Sequence, residues 1–247
     1  MIHGLRRCFP SGLLAYVLIT GMLSAAGRAH AADLRLPIVT DTYLDSAGSA
    51  TNFGASANVK VLISNNGSAC RGLFRLPSDL GLYATSKLAQ VQVCFYVFSN
   101  QTAGRAIRLY PLTRPFTEGS STIPADGATW STCDGTQAWT SPGGDFDTNY
   151  PVVGMAGPDG FFRWDISALL SNPAARSNLL ANGALLHIEE TPVPPSGMPR
   201  APFTSSDGAA AQQPYVLATI AAPLSFAITT DTYLDSRSSN TAKNFGV

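Results

Sequence analysis

Arg105, Arg108 and Arg114 fall within ten positions of one another. A guanidinium is a planar fork of N–H donors, so arginines at this spacing suit the gripping of carboxylates through paired hydrogen bonds. Aromatic side chains lie nearby in the chain: Tyr110, Trp130, Trp139 and Tyr150. Their rings offer flat apolar faces, with a polar handle on each, to the apolar side of a pyranose. The chemistry indicated is recognition of an acidic polysaccharide by Arg105, Arg108, Tyr110, Arg114, Trp130 and Trp139. If residues 105–112 form a strand, Arg108 and Tyr110 share one face and Leu109 takes the other. Two structural readings compete with this one. The arginines could line a solvated strand face, and the tryptophans could be buried anchors of a loop.

Catalysis is a weaker reading of the same region. Glycoside hydrolysis needs two placed carboxylates, one with its pKa raised by a pocket. Glu118, Asp134, Asp145 and Asp147 are available, but aspartate beside glycine is ordinary turn chemistry, and turn residues and loop caps are the preferred reading. His187 is the single histidine after residue 31, which leaves out a zinc site built from several histidines. It lies in an apolar stretch, where a packed or rim histidine is expected rather than a base. No G-x-S-x-G elbow occurs. The expected activity is binding without catalysis.

The elements that must position these residues come from the rest of the chain. Of 247 residues, 45% are hydrophobic and 13% charged, with 22 glycines and 17 prolines. That composition excludes a disordered chain and argues against long helices. Lys+Arg and Asp+Glu number 16 each, so no basic excess exists to neutralise a phosphate backbone, and no nucleic-acid partner is expected.

Residues 1–31 read as an export signal. Arg6 and Arg7 precede an uncharged run from Gly12 to Leu23, and Ala29-His30-Ala31 forms an A-x-A cleavage site. The run of 12 is short of the roughly 20 residues needed to cross a bilayer. The expectation is a secreted bacterial protein with no membrane insertion after cleavage. Cleavage would remove three arginines and no acid, leaving 13 basic against 16 acidic residues, a formal charge of −3. Three cysteines would remain: Cys70, Cys94 and Cys133. One disulfide with one free thiol, or three buried apolar thiols, are both open.

The sequence Thr40-Asp41-Thr42-Tyr43-Leu44-Asp45-Ser46 recurs unchanged as Thr230-Asp231-Thr232-Tyr233-Leu234-Asp235-Ser236. Asn52-Phe53-Gly54 follows the first copy and Asn244-Phe245-Gly246 the second. A repeat at 190 positions is the size of a whole domain. Three segments are therefore expected: the signal at 1–31, one complete module at 32–222, and a linker with the first strand of a second, truncated copy at 223–247. A second module in cis is the implied partner in a longer protein.

Between the copies the pattern is β. Residues 91–97 place Val91, Val93, Phe95 and Val97 on one face, with Gln92, Cys94 and Tyr96 opposite, the period-two signature of a half-buried strand. Further strands are expected at 59–63, 72–76, 107–112, 161–166, 184–189 and 215–220. Turn clusters such as Ser64-Asn65-Asn66-Gly67 and Pro142-Gly143-Gly144-Asp145 separate them. One short helix is expected at 167–180, capped by Ser167 and interrupted at Pro173. Residues 113–158 form a long glycine-rich loop region, the kind that is functional or packed on itself. Short strands with no βαβ alternation predict an all-β, antiparallel jelly-roll sandwich.

The ordered motifs resemble the DNRLRE-type β-sandwich domain, grouped with family 96 carbohydrate-binding modules. Asp41-Thr42-Tyr43 and Asn52-Phe53-Gly54 come first, then Gly72-Leu73-Phe74-Arg75-Leu76 in place of the family's LRFDL. Phe116-Thr117-Glu118-Gly119-Ser120 stands for WTEGS and Ala128-Thr129-Trp130 for ATW. Ala138-Trp139-Thr140-Ser141-Pro142-Gly143-Gly144-Asp145-Phe146 matches the family's tryptophan followed by PGGDF. Trp164-Asp165-Ile166-Ser167, Asn182-Gly183-Ala184-Leu185-Leu186 and Phe203-Thr204-Ser205-Ser206 complete the series before Pro214-Tyr215-Val216. The resemblance covers residues 38–221. Phe116 replaces tryptophan, Pro77 replaces aspartate, and the proline-rich stretch from Pro192 to Pro202 is an insertion. The resemblance implies a non-catalytic, secreted module that binds alginate or a similar acidic polysaccharide through residues 105–150, targeting or anchoring a larger protein, one with a lyase or hydrolase domain included. A structural or adhesive cell-surface repeat without sugar affinity is the alternative. Jelly-roll modules often hold a structural Ca²⁺. Asp41, Asp45, Asp159 and Asp207 are available for one, with no ligand set assigned.

Overall fold

The computed structural model describes residues 32–221 apart from 84, 121, 123 and 124. Both the expected export signal and the expected second-copy strand lie outside the described residues. Ala32–Ala221 is one compact unit.

Its architecture is an antiparallel β-sandwich, as the alternation predicts. One sheet holds β1 (Ala32–Pro37), β12 (Tyr215–Ile220), β5 (Leu88–Tyr96), β9 (Phe161–Asp165) and β8 (Met155–Ala156), in that order. The other runs β11 (Arg200–Thr204), β3 (Asn58–Ile63), β4 (Ala69–Phe74), β10 (Ala184–Ile188), β6 (Ile107–Pro111) and β7 (Val152–Val153), with β2 (Asp41–Asp45) also paired to β4. The chain passes back and forth between the two sheets, so every strand in the core needs partners distant in sequence.

The strand pattern explains the core. On β5 the expected inward set Val91, Val93 and Phe95 is buried, and Val97 packs against the core just past the strand. Phe95 lies edge-on to Phe74 and Phe203 at 5.2 and 5.9 Å between centroids. Trp164 of β9 reaches across and donates from Nε1 to the Ile107 carbonyl at 3.1 Å, which satisfies its one polar atom inside the core. Burying a side chain of this size stabilises by about 1.5–3 kcal/mol.

Local chemistry departs from expectation at three places. The helix is interrupted at Pro173 as expected, but Pro173 also begins a second helix that was not expected. The chain forms α1 (Ser167–Ser171) and then α2 (Pro173–Asn182). Asn172 caps α2 by accepting from the Ala174 and Ala175 amides, and Pro173 takes the first position, where a missing N–H costs nothing. Ser167 is the first residue of α1 rather than its cap: Ile166 holds the cap position without a side-chain hydrogen bond, and Asp165 accepts from the Ser167 amide at 3.0 Å. Strand β4 starts at Ala69, three residues before the expected 72, which puts Arg71 inside it. Strands β1 and β11 are absent from the expected set, as are the two short strands β7 and β8, which lie inside the expected loop region 113–158. Pro199 just before β11 and Pro202 within it suppress its signal, and β11 is secured from its neighbours through Phe203↔Val59 and Val97↔Phe203.

The three cysteines are free, and all are buried. Cys70 belongs to the central core, Cys133 to a smaller core beneath the long loop, and Cys94 to an aromatic cluster with Phe161 and Tyr215 on the far side of the first sheet. The apolar reading of the cysteines is the one observed. Burial pushes the Cys70 thiol up to about 12.

Candidate functional site

Register on the second sheet builds the site. Leu185 of β10 pairs with Leu73 of β4 on one side and Tyr110 of β6 on the other, and His187 pairs with Arg108. Paired residues project to the same face. Leu109 and Leu186 point into the central core, so Arg71, Leu73, Tyr110, Arg108, Leu185 and His187 face outward. Period two thus places Arg108 and Tyr110 together, as the strand argument requires.

Part of this outward face is covered by the loop region 113–151. Leu44, Leu73 and Leu185 of the sheet pack with Leu112, Phe116, Ala128, Cys133 and Trp139 in a second hydrophobic cluster. The long loop is packed on itself and on the sheet, which is how so long a connection holds one conformation. Asp145 stabilises it by accepting from the Thr140 and Ser141 amides at 2.9 and 3.0 Å.

Beyond the covered part lies a charged and aromatic cluster. Arg71 donates to both oxygens of Glu190, each at 2.8 Å, and to the Gly143 carbonyl at 3.0 Å. Its guanidinium sits 4.9 Å from the Trp130 ring centroid and 5.6 Å from that of Phe146. His187 Nε2 lies 3.2 Å from Glu190 Oε1. Burial works against charge on Glu190, yet the hydrogen bonds from Arg71 and His187 outweigh it and hold the carboxyl at about 2. Tyr110, Phe146 and His187 form a ring cluster, with centroids 5.1 to 6.0 Å apart. Two polar groups matter most here. Among the described residues Arg108, half-buried, has no hydrogen-bond or ion-pair partner, and His187 Nδ1 is buried without one.

The six residues proposed from sequence separate here. Arg108 and Tyr110 stand together on the face, and Trp130 joins them through Arg71. Arg105 is spent elsewhere: its guanidinium donates to the Glu189 and Pro192 carbonyls, both at 2.6 Å. Arg114 donates to the Ala138 carbonyl at 2.5 Å and lies 3.9 Å from Asp145 Oδ2. Trp139 is 4% exposed and donates from Nε1 to the Thr129 carbonyl at 2.9 Å, so its ring has no free face. Arg71 and Glu190 were missed. Extending the β4 alternation back to Ala69 would have set Arg71 beside Leu73, but nothing in sequence pairs it with a glutamate 119 positions away.

The carboxylates considered for catalysis serve backbone donors. Asp134 accepts from the Thr136 and Gln137 amides, Asp147 from Asn149, and Glu118 from Asp41. Of those considered for calcium, Asp159 is paired with Arg163 and Asp45 accepts from Ala47, while Asp41 accepts from the Ser206 amide and is close enough to Asp207 to feel its charge. Among the described residues no three His, Cys, Asp or Glu side chains gather as a metal site would. No helix among them is long and apolar enough to cross a membrane. No protein-family model matches the chain, and no curated protein sequence matches it.

Proposed function

We propose that this protein is a non-catalytic, secreted carbohydrate-binding module that takes an acidic polysaccharide on the outward face of its second sheet. The observation that carries the reading is Arg108. It is a guanidinium with no protein partner among the described residues, on a strand face beside Tyr110 and within a cluster of rings. A uronate carboxylate would supply the missing acceptors, and the Tyr110 edge of the ring cluster would meet the apolar side of the sugar. His187 Nδ1 offers a further hydrogen bond to a hydroxyl. Arg71 acts as a positioning residue, holding Trp130, Phe146 and Glu190 in place.

The export signal, the tandem second module and a catalytic domain elsewhere in a longer protein belong to this same proposal. They rest on residues 1–31, on the repeat at residues 230–246, and on the resemblance to family 96 modules. Affinity electrophoresis of the protein through gels containing alginate, pectin or cellulose tests it. Retardation by alginate or pectin that disappears in Arg108→Ala supports the reading; free migration in all three gels sinks it.

One observation favours a second reading. Trp139, Arg105 and Arg114 are committed to internal contacts, as in a spacer or adhesive repeat without sugar affinity. That reading predicts unretarded migration together with retention at the cell surface.

A further inference from the structure

The proline-rich insertion between Pro192 and Pro202 has no role in the proposed glycan face. It runs into β11, which pairs with β3, and leaves two adjoining hollows, of about 300 and 400 Å³, that share Met198. The first is walled by Leu62, Met198 and Pro202, with Lys60 and Arg200 at its sides. The second is walled by Pro194, Pro195 and Pro199, with Arg105 at its side. Of the residues lining the two hollows, three are cationic and none is acidic. The expected formal charge after residue 31 is −3, so this local positive surface is against the trend of the chain.

Exposed apolar side chains lie on the insertion and next in sequence to Ser99 of the first hollow. Phe98 is 51% exposed, Val193 47% and Met198 45%. Phe98 is tied to β11 by its amide, which donates to the Pro202 carbonyl at 3.1 Å. Exposed apolar side chains grouped beside arginine mark protein interfaces, where phenylalanine, methionine and arginine are enriched. Methionine adapts its shape to a guest, while the prolines keep the wall rigid at little entropic cost.

We propose that this groove docks an acidic peptide segment of a protein partner, carrying one apolar anchor between carboxylates. The anchor occupies the hollow beside Met198, and the carboxylates meet Lys60 and Arg200. None of the residues lining the two hollows is aromatic, which disfavours a sugar ring as occupant. Arg200 has donors to spare, because only its Nε is engaged, with Gln101 Oε1 at 3.1 Å.

Fluorescence anisotropy of the full chain with the labelled peptide Glu-Glu-Leu-Phe-Glu-Glu tests the proposal. Saturable binding is expected, at least about ten-fold tighter than for Lys-Lys-Leu-Phe-Lys-Lys or for Glu-Glu-Ser-Ser-Glu-Glu. Met198→Ser and Arg200→Glu, both exposed positions, should each weaken binding about five-fold or more with an unchanged melting temperature. Arg108→Ala should leave it unaltered, so failure here is separable from failure of the glycan site. Absence of saturable binding overturns the proposal, as does equal binding of the serine peptide. Two other occupants would overturn it as well. Alginate whose retention is lost in Arg200→Glu would make the groove a glycan site. A wild-type dimer dissolved by Met198→Ser would make the occupant a second copy of the chain.

Discussion

The side-chain amide of Asn52 donates to the backbone carbonyl of Glu118 at 2.6 Å, joining two segments 66 positions apart. Its Nδ2 also donates to the Ala128 carbonyl at 2.9 Å, and its Oδ1 accepts from the Gly54 amide. Tyr43 stacks on Phe53 at 4.2 Å, and the Asp41 amide donates to Glu118 Oε1 at 2.8 Å. The residues that recur at 230–246 are therefore those that fasten β2 and its following turn to the Glu118 loop.

This junction leaves no room at Gly54. A Cβ there would come within 2.2 Å of the Gly119 carbonyl oxygen and 2.4 Å of that of Glu118, both backbone atoms that cannot step aside. Gly54→Ala should cost about 3 kcal/mol in urea unfolding. Gly81→Ala, whose Cβ would only touch Leu180 at 3.9 Å, should stay within about 0.5 kcal/mol of wild type. Equal stability of the two variants would refute the account of the junction.

Asp41 should make stability fall with rising pH. Its side chain is 1% exposed and Oδ1 has no hydrogen-bond partner. Burial raises the carboxyl to about 7 against the Ser206 hydrogen bond that lowers it, with Glu118 and Asp207 adding to the rise. A folded-state pKa above the unfolded value of 3.8 means the folded state binds the proton more tightly. The contribution is complete below about 3.8 and is lost as pH rises through about 7. Asp41→Asn should flatten the melting temperature between pH 5 and 9 and exceed wild type at the upper end. A wild-type-like pH profile in the variant would contradict this.

Glu190 should act in the opposite sense. Its carboxyl lies at about 2, below the ordinary 4.5, so its contribution is complete above 4.5 and disappears as pH falls toward 2. The pair with Arg71 is largely enclosed, with side-chain exposures of 21% and 13%. Glu190→Gln should cost roughly 2 kcal/mol at pH 7, between the values for exposed and fully buried pairs. The difference from wild type should shrink progressively in denaturant titrations as pH falls from 4.5 toward 2. Persistence of the full difference there would count against the ion pair.

Trp139 is expected to control the loop core. Trp139→Ala should cost about 3–5 kcal/mol and expose Cys133, which shares its cluster. A thiol reagent should then label Cys133 in the native state, whereas Trp139→Phe should keep it protected. Protection of Cys133 in the alanine variant would show that the cluster does not depend on the indole.

Arg108 and Arg105 should separate binding from architecture. If the glycan proposal holds, Arg108→Ala removes alginate retention with little change in melting temperature. Arg105→Ala frees the Glu189 and Pro192 carbonyls and should lower the melting temperature by a few degrees while retention persists. The reverse pattern would move the site away from β6.

Much was decided locally. Alternation along 91–97 set the inward face of β5, because a strand's side chains have a period of two whatever surrounds it. The same rule placed Arg108 beside Tyr110, and apolar flanks made burial of the three cysteines a readable option. The repeated Asp-Thr-Tyr and Asn-Phe-Gly motifs marked one fastening device before its partners were known. What tertiary structure alone decided is which polar groups are already satisfied. Arg105, Arg108 and Arg114 are indistinguishable by type and spacing, yet two find carbonyl acceptors across the fold and one does not. Trp130 and Trp139 differ in the same way, one half-exposed beneath Arg71 and the other enclosed. Those distinctions depend on acceptors and rings brought from dozens of positions away by strand register, and register is a property of the paired sheet rather than of any one segment.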